Sequence, residues 1–321
     1  MQTALLNYKG QQLKEFPVSL RQNRHITNLN LENNQISSIP GWITELSHLK
    51  VLYLDNNQLS DIDALTTLPS LEVLHMGNNR ITTIPDSISN LKSLRRLFIN
   101  GNLITCLPDA LCELSELKIL LLSRNRLKTI SIHLGQLAKL ETLNLFDNKL
   151  TGIPESIGQL SMLDYLQLGM NEIDHLPESI GYNKTIRSLE VFSNKLQSIP
   201  SQLQELINLE NLNVGDNNIT RIENVPGIVH RLSIYANPVN YIDPRLLDGF
   251  KQPPVEHHID YLYIDNVQYN SLGLDKSAFG EQLKIIDTSS GQIHWTNYKH
   301  MPLALIQKWG LRRSRDENTV R

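Results

Sequence analysis

One stretch decides the fold of this 321-residue chain: Leu140-Glu-Thr-Leu143-Asn-Leu145-Phe-Asp-Asn148-Lys-Leu150. Its frame of leucines recurs along most of the sequence, and an asparagine recurs with it at steps of 23, 22 and then six times 23 residues. The recurring asparagines are Asn34, Asn57, Asn79, Asn102, Asn125, Asn148, Asn171, Asn194 and Asn217. A repeat this regular predicts a solenoid, in which each unit packs against its neighbours.

Each unit has a strand-like half and a helix-like half. The pattern Leu-x-x-Leu-x-Leu alternates apolar and polar residues, which is the period of a half-buried strand. The second half, such as Ile153-Pro-Glu-Ser-Ile157-Gly-Gln-Leu160-Ser-Met-Leu163, spaces its apolar residues by four, three and three, which is a helical period. Because stacked strands lie about 4.8 Å apart and helices need nearly twice that, the stack is expected to curve with its strands inside.

The recurring asparagines have a structural role in this geometry. An asparagine side chain both donates and accepts hydrogen bonds, so it satisfies backbone groups that lose their partners where the strand turns into the loop. Glycines such as Gly152, Gly158 and Gly181 are assigned to turns, where backbone freedom explains them. We therefore predict an asparagine ladder without chemistry of its own.

This frame resembles the leucine-rich repeat, in its 23-residue intracellular type LxxLxLxxNxLxxLPxxIxxLxx. The resemblance covers about residues 5–245 and nine matching units, or ten with a unit centred on Asn237. Tracts of the IP-x-x-I kind make the chain similar to Ras-pathway scaffolds and to bacterial members of the family, and they stand at Pro40, Pro85, Pro154, Pro177 and Pro200. The resemblance implies a curved α/β horseshoe, with parallel strands on the concave face and short helices or 3-10 turns on the convex face.

Three regions are predicted along the chain. Residues 1–25 form an amino-terminal capping unit, because they repeat the frame with Gln11 in place of asparagine. Residues 26–245 form the repeat array, and residues 246–321 form a small α+β cap or module, because the period stops after Ile242. In that last region we predict strands at 258–264 and 291–298, a helix at 279–286 and an amphipathic helix at 303–311.

Composition argues against several classes of function. A formal net charge of −3 and a pI near 6.4 give no basic field for nucleic acid. No run approaches about 18 apolar residues, so no membrane span is expected, and the amino terminus lacks the pattern of a secretory signal. The two cysteines, Cys106 and Cys112, lie in one repeat. This favours free thiols in the reducing cytoplasm, or in a host cell's cytosol if the protein is a secreted effector.

No catalytic, cofactor or metal site is predicted. His257 and His258 are adjacent, so on a strand their rings point to opposite faces, and no C-x-x-C pair exists for zinc. Phosphate-binding loops of the GxxxxGK[ST] and GxGxxG forms are absent. Bacterial leucine-rich-repeat ubiquitin ligases carry a catalytic cysteine in a carboxy-terminal domain, and residues 255–321 contain no cysteine. The chain is therefore predicted to be non-enzymatic.

The class of function that remains is the recognition of a partner on the protein surface. In this family such recognition usually uses the variable positions of the concave strands. Those positions are rich in aromatic and apolar residues here, where a solvated sheet face carries mostly polar ones. The predicted partner-binding residues are Tyr53, His75, Arg96, Phe98, Leu121, Arg124, Phe146, Tyr165, Met170, Phe192 and Tyr235, with Val73 and Ile119 beside them. We expect an exposed apolar track across neighbouring strands. The alternative is that several rings lie flat and only stabilise cross-strand stacking.

The charged residues predict a basic patch on this face with an acidic patch beside it. Basic residues from two adjacent units are expected to cluster, namely Arg95, Arg96, Lys118 and Arg124. Acidic residues follow in the next units, namely Glu141, Asp147, Asp164, Glu190, Glu210 and Asp216. Such a pattern orients a partner of complementary charge, unless the side chains are solvated in weak lateral pairs.

Two functions are open from the sequence. The first is a non-enzymatic scaffold or adaptor, monomeric by itself, that binds a protein partner on the concave face. The second is a substrate-targeting arm, in which residues 255–321 act as an effector or enzyme-recruiting module. Neither hypothesis involves a cofactor or a nucleic acid.

Overall fold

The computed structural model describes residues 5–248, 258–274 and 283–286. Within them the chain forms one sheet of thirteen parallel strands, in the order β1-β2-β3-β4-β5-β6-β7-β8-β9-β10-β12-β14-β15, and a two-stranded sheet of β11 and β13. The strands are β1 Leu5–Asn7, β2 Asn28–Asn30, β3 Val51–Tyr53, β4 Val73–His75, β5 Arg96–Phe98, β6 Ile119–Leu121, β7 Thr142–Asn144, β8 Tyr165–Gln167, β9 Ser188–Glu190, β10 Asn211–Asn213, β11 Arg221–Ile222, β12 Ile228–Ser233, β13 Tyr241–Ile242, β14 His258–Asp265 and β15 Leu283–Ile286. Each repeat thus adds one strand beside the previous one.

Short 3-10 helices form the other side of the stack. They are Val18–Gln22, Gly41–Glu45, Asp63–Thr67, Asp86–Asn90, Asp109–Glu113, Leu134–Gln136, Glu155–Gln159, Glu178–Tyr182 and Ser201–Glu205. Two α-helices follow, α1 Pro244–Asp248 and α2 Asn266–Ser271. Proline stands directly before most of the 3-10 helices, where its fixed φ and missing N–H cost nothing.

The curved α/β solenoid expected from the repeat is confirmed, and its outer elements are of the 3-10 type. In one unit the N–H of Ile157 donates to the carbonyl of Pro154 (3.0 Å), and the N–H of Leu160 donates to that of Ile157 (3.2 Å). Hydrogen bonds over three residues give a tighter coil than an α-helix, and they suit a segment of only five residues. The helical period in the sequence therefore corresponds to one short 3-10 helix per unit.

The core lies between the strands and the 3-10 helices. Leu140, Leu143 and Leu145 of the defining stretch are each at most 1% exposed. Leu143 stands in register with Leu120 on one side and Leu166 on the other. Because the same register continues from strand to strand, the leucines build one continuous core that no single unit provides alone.

The recurring asparagines join consecutive units through their backbones. The Asn148 amide nitrogen donates to the carbonyls of Leu122 (3.1 Å) and Leu145 (3.0 Å), and its oxygen accepts the N–H of Leu127 (3.0 Å). The same set of bonds recurs along the array and continues at Asn237. Each ladder side chain therefore supplies partners to backbone groups of two neighbouring units.

Glycine is required at positions 158 and 181 for a reason other than the one predicted. Both lie inside 3-10 helices, and neither has a left-handed φ. A Cβ on Gly158 would stand 2.3 Å from the carbonyl oxygen of Ser179, and one on Gly181 would stand 2.1 Å from that of Gln202. Close approach between successive 3-10 helices, rather than freedom in a turn, requires glycine at these two positions.

The amino-terminal segment adds a strand to the array. β1 pairs in parallel with β2, and Gly10, directly before Gln11, has the left-handed φ of 70° that also occurs before ladder asparagines. The Gln11 side chain is exposed. The amide of Asn34 instead reaches back and donates to the carbonyl of Tyr8 (2.9 Å). The boundary of a capping unit at residue 25 stays a prediction, and the sheet itself is continuous across it.

The sheet also continues beyond residue 245, where the boundary likewise stays a prediction. β14 spans the strand predicted at 258–264, and β15 pairs with it in parallel. The helix predicted at 279–286 is wrong in its last part, because 283–286 is a strand. The unpaired edge of β14 and the β-branched Ile285 and Ile286 favour strand pairing there. The strand predicted at 291–298 and the helix predicted at 303–311 lie outside the described residues.

A glutamine continues the asparagine ladder after the last repeat. The amide of Gln268 donates to the carbonyls of Ile234 (2.8 Å) and Asn237 (2.9 Å). Asp265 and Gln268 also form a capping box at the start of α2, in which each side chain accepts a backbone N–H of the other residue. The spacing Asp265-x-x-Gln268 is a signal in the sequence that our prediction missed.

Candidate interaction surface

Four rows of side chains line the concave side of the sheet. The first and second rows are the strand residues on either side of the buried leucine, which point away from the core because side chains alternate along a strand. The third row stands two residues before each ladder asparagine, and the fourth row stands directly before it. In the unit of Asn148 the four rows are represented by Thr142, Asn144, Phe146 and Asp147.

The predicted partner-binding residues are spread over all four rows. The first row holds Arg96 and Tyr165, the second Tyr53, His75, Phe98 and Leu121, the third Phe146, Phe192 and Tyr235, and the fourth Arg124 and Met170. The register of the sheet places the four second-row residues side by side on strands β3 to β6. The sequence prediction treated the eleven residues as one surface, whereas the rows differ in burial.

Three aromatic rings form a stack across three strands, called here the aromatic stack: Tyr53, His75 and Phe98. The ring centroids of Tyr53 and His75 are 4.7 Å apart, and those of His75 and Phe98 are 4.0 Å apart and nearly parallel at 15°. The Asp55 carboxylate lies 3.5 Å from His75 Nδ1 and accepts the N–H of Gly77 at 2.6 Å. Tyr53 and His75 are half-buried, so this end of the stack meets solvent.

A second hydrophobic cluster, separate from the core, follows on the same side and is called here the concave cluster. It consists of Phe98, Ile119, Leu121 and Tyr165, with Val73 packed against it, and its four members are only 3–6% exposed. The prediction of an exposed apolar track is therefore wrong for these side chains. Large residues in register on adjacent strands cover one another's flanks, so they form a packed layer.

The third-row aromatic residues are buried as well, and glycine makes room for two of them. A Cβ on Gly169 would stand 2.7 Å from the Phe192 ring, and one on Gly215 would stand 2.5 Å from the Tyr235 ring. The centroids of Phe146 and Phe192 are 5.9 Å apart. All three rings are at most 6% exposed, and burial raises the pKa of Tyr235. The Phe192 and Tyr235 rings lie on glycines of the preceding unit, which was the alternative left open by the sequence.

The fourth row has left-handed backbone, which was not predicted from the sequence. Arg124 and Met170 have φ of 55° and 56°, in the region that L-residues rarely adopt. Asn33, Asn56 and Asn78 occupy the same row, and the Asn56 amide donates to the oxygen of Asn33 at 2.8 Å. The abundance of Asn, Asp and Gly before the ladder asparagines is the signal that could have shown it. Arg124 is exposed at the edge of the concave side, and Met170 is half-buried.

The predicted basic cluster is reduced to three arginines. Lys118 forms an ion pair with Glu141 at 2.8 Å, as Arg187 does with Asp164 at 2.5 Å. Such lateral pairs between neighbouring units contribute little stability each. The remaining basic residues are exposed and form no salt bridge within the described part of the chain: Arg95, Arg96 and Arg124.

Glu190 is an acidic residue of this surface whose pKa is shifted. It lies in the second row between Gln167 and Asn213. Burial raises the pKa of Glu190 to about 7, although hydrogen bonds with Asn213 and Ser188 and the charge of Arg231 act in the opposite direction. A carboxyl group with this pKa changes its charge near neutral pH.

Replacing Glu190 by glutamine is expected to change how stability depends on pH. Because the folded-state pKa of about 7 lies above the ordinary 4.5, the protonated acid favours the fold, and that contribution is lost as pH rises from about 4.5 through 7. Relative to Glu190→Gln, the wild type should lose about 2–3 kcal/mol of unfolding free energy over this range. Urea unfolding at several pH values measures it. Parallel curves would contradict the prediction, and the exposed Glu210→Gln variant serves as the control.

The described residues provide no metal centre for this surface. Within 5–248, 258–274 and 283–286, no group of three His, Cys, Asp or Glu side chains is arranged to hold a metal ion. Cys106 is exposed and Cys112 is buried, and both are free thiols. None of the helices in these ranges is long and apolar enough to cross a membrane.

Comparison with known proteins gives the same type of repeat. A family model described as leucine-rich repeats in two copies matches residues 24–67 and 69–112, and a second leucine-rich-repeat model matches residues 115–173. No curated protein sequence matches the chain at a significant level.

Solved structures with a similar fold come from bacteria and plants. A leucine-rich-repeat protein of Leptospira interrogans is 20% identical with a TM-score of 0.57, over 88% of this chain and 95% of that one. An internalin of Listeria monocytogenes is 21% identical with a TM-score of 0.54, over 83% and 84%. A plant peptide hormone receptor in complex with RGF2 is 23% identical with a TM-score of 0.62, over 85% of this chain and 49% of that one, so the chain spans about half of the receptor. These are likenesses of fold.

Proposed function

We propose that this chain, which is a leucine-rich-repeat protein, is a non-enzymatic scaffold or adaptor that binds a protein partner on its concave side. The observation that carries the proposal is the aromatic stack beside exposed arginines that form no salt bridge with the described residues. Tyr53 and His75 meet solvent at its amino end, and the exposed Arg96 stands in register with Val73 and Ile119.

Tyr53, His75 and Arg96 form a patch whose chemistry suits a protein contact. Aromatic residues and arginine are enriched where protein interfaces gain most of their binding energy. The guanidinium of Arg96 can bind a carboxylate through two parallel hydrogen bonds, while the rings of Tyr53 and His75 offer apolar area. The partner that fits therefore presents an acidic side chain next to an apolar or aromatic one.

The rest of the molecule supports a binding role. Parallel strands fix the spacing of the patch, and the ladder asparagines hold the turns that follow each strand, so the surface is preorganised. The plant receptor with a similar fold was solved in complex with RGF2, which supports ligand binding by a solenoid of this kind. The free thiols support a reducing compartment, and we place the protein in the cytoplasm.

The alternative of an effector module in residues 255–321 has less support. β14 and β15 extend the sheet of the array, and the Gln268 side chain satisfies carbonyls of the last repeat. These contacts are those of a segment that closes the solenoid end, which otherwise exposes core to solvent.

A double variant of the patch is expected to lose the partner without losing the fold. Tyr53→Ala with Arg96→Glu removes ring area and reverses one charge, so binding should weaken by roughly 100-fold or more. Both side chains point away from the core, so the melting temperature should fall by no more than about 3 °C. Quantitative affinity purification followed by thermal unfolding measures the two effects.

The matched control lies away from the concave side. Tyr182 is 67% exposed at the end of a 3-10 helix, and Lys128 is exposed on the outer half of its unit. Tyr182→Ala with Lys128→Glu makes the same chemical changes there and should keep every partner. The proposal is wrong if this control loses the partners that the concave double variant retains.

A further inference from the structure

The concave cluster is more deeply buried than its strand neighbours explain. Side chains on adjacent strands cover one another's flanks, whereas their tips point away from the sheet. Phe98, Leu121 and Tyr165 are nevertheless only 3–6% exposed. Among the described elements, the main packing partners of these strands are the strands beside them. The cluster therefore has the character of a surface that is covered in the folded protein.

The carboxy-terminal part of this side is acidic. Two of the acidic residues predicted there are neutralised by lateral ion pairs. The others form no salt bridge within the described residues: Asp147, Glu190, Glu210 and Asp216. An occupant that covers the apolar cluster therefore gains further attraction if it carries positive charge.

The last 35 residues of the chain have the matching composition. Residues 287–321 contain six Lys or Arg and three Asp or Glu, whereas the whole chain has a net charge of −3. They also hold two of the three tryptophans, Trp295 and Trp309, and the apolar residues Leu303, Leu305 and Ile306. A basic segment rich in aromatic and aliphatic side chains complements an acidic face with an apolar centre.

The segment starts close enough to reach the cluster. β15 ends at Ile286, and it stands seven strand spacings from β6 in the sheet, which is roughly 34 Å at about 4.8 Å per strand. A segment of this length spans about 50 Å as an α-helix and more than about 100 Å when extended. The segment is therefore long enough to reach the concave cluster either as a helix or when extended.

We propose that the carboxy-terminal segment 287–321 binds the concave cluster of its own chain. Its aromatic and aliphatic side chains cover Phe98, Leu121 and Tyr165, and its basic residues lie beside Asp147. The proposal goes beyond the proposed function, because the occupant belongs to the chain itself. The solvent-facing end of the aromatic stack lies outside the covered region, so a partner bound there shares the concave side with the segment. Binding of the partner is tested separately, with the double variant Tyr53→Ala and Arg96→Glu. Either proposal can therefore fail while the other holds.

Photo-crosslinking in the full-length protein tests this proposal. p-Benzoylphenylalanine replaces Trp309, the protein is irradiated, and the crosslinked peptides are identified by mass spectrometry. We expect crosslinks within the monomer, to peptides that carry strands β5 to β9. Crosslinks to the 3-10 helices, the absence of any crosslink to these strands, or a product of dimer mass would each overturn the proposal.

Three further substitutions separate a specific contact from a folding defect. Leu121→Glu puts a charge into the apolar contact and should lower the crosslink yield roughly fivefold or more. Ile132→Glu is the matched control, because Ile132 is 72% exposed in the outer half of its unit, and it should leave the yield unchanged. If circular dichroism shows that Leu121→Glu is unfolded, Asp147→Lys takes its place, because the same row of the neighbouring unit holds Arg124, with an expected loss of roughly threefold from charge reversal. Equal yields in the concave variant and the control would overturn the proposal.

Discussion

Replacing Asn148 with alanine is expected to lower the free energy of unfolding by about 2–4 kcal/mol, because it leaves the buried N–H of Leu127 without its partner and removes one of the two asparagine donors to each of the Leu122 and Leu145 carbonyls. The asparagine side chain is 2% exposed and bonds to two carbonyls and one N–H at 3.0–3.1 Å. These groups lie between stacked units, where water does not replace the lost amide. Urea unfolding followed by circular dichroism measures the change.

Another asparagine provides the matched control for this prediction. Asn218 is exposed, and its side chain makes no hydrogen bond within the described residues. Asn218→Ala should therefore change the free energy of unfolding by at most about 0.5 kcal/mol. A loss at position 148 no larger than the loss at position 218 would show that the ladder does not hold the units together.

Gly181→Ala is expected to destabilise the protein by about 3 kcal/mol, because the added methyl group collides with backbone. The Cβ would stand 2.1 Å from the carbonyl oxygen of Gln202 and 2.6 Å from its carbon. That backbone belongs to the next 3-10 helix, Ser201–Glu205, so no flexible side chain can move aside. Relief requires a shift of one unit against the next, which opens the core between them.

Gly152→Ala is the matched control for the glycine prediction. No atom lies within 4 Å of the position that its Cβ would take, and its φ is not left-handed. Alanine there restricts the unfolded chain and should be neutral or stabilising by up to about 1 kcal/mol. Thermal unfolding of the two variants compares a glycine needed for close approach with one that is not. Similar melting temperatures for both variants would show that close approach between units does not require glycine at position 181.

The repeat made the fold predictable to a large extent. A period of 23 residues with leucines in a strand-like frame leaves few ways to bury the apolar side other than stacking, and the bonds of Asn148 follow from the unpaired groups at each turn. The details set by contact between units were not predictable. Gly181 looks like a turn glycine in one repeat, and only the distance to the next unit shows why it is needed.

The surface was harder to predict than the fold, because burial depends on what lies beside each residue. Phe146 and Phe192 have the positions of exposed concave residues, yet Phe192 lies against Gly169 of the unit before it, which no pattern within a single repeat reveals. Arg124 and Met170 were assigned to the strand face, although their left-handed φ turns the chain at that point. The aromatic stack was more accessible to prediction, because it follows from strand register alone.

In the proposed function the aromatic stack of the concave side contacts the protein partner, and a photo-crosslinking comparison distinguishes this side of the solenoid from the opposite one. p-Benzoylphenylalanine replaces Tyr53 in one full-length protein and Tyr182 in another, so that two tyrosines on opposite sides of the solenoid carry the same probe. We expect the partner to be crosslinked from position 53 and not from position 182. Crosslinking of the partner from position 182, with none from position 53, would contradict it.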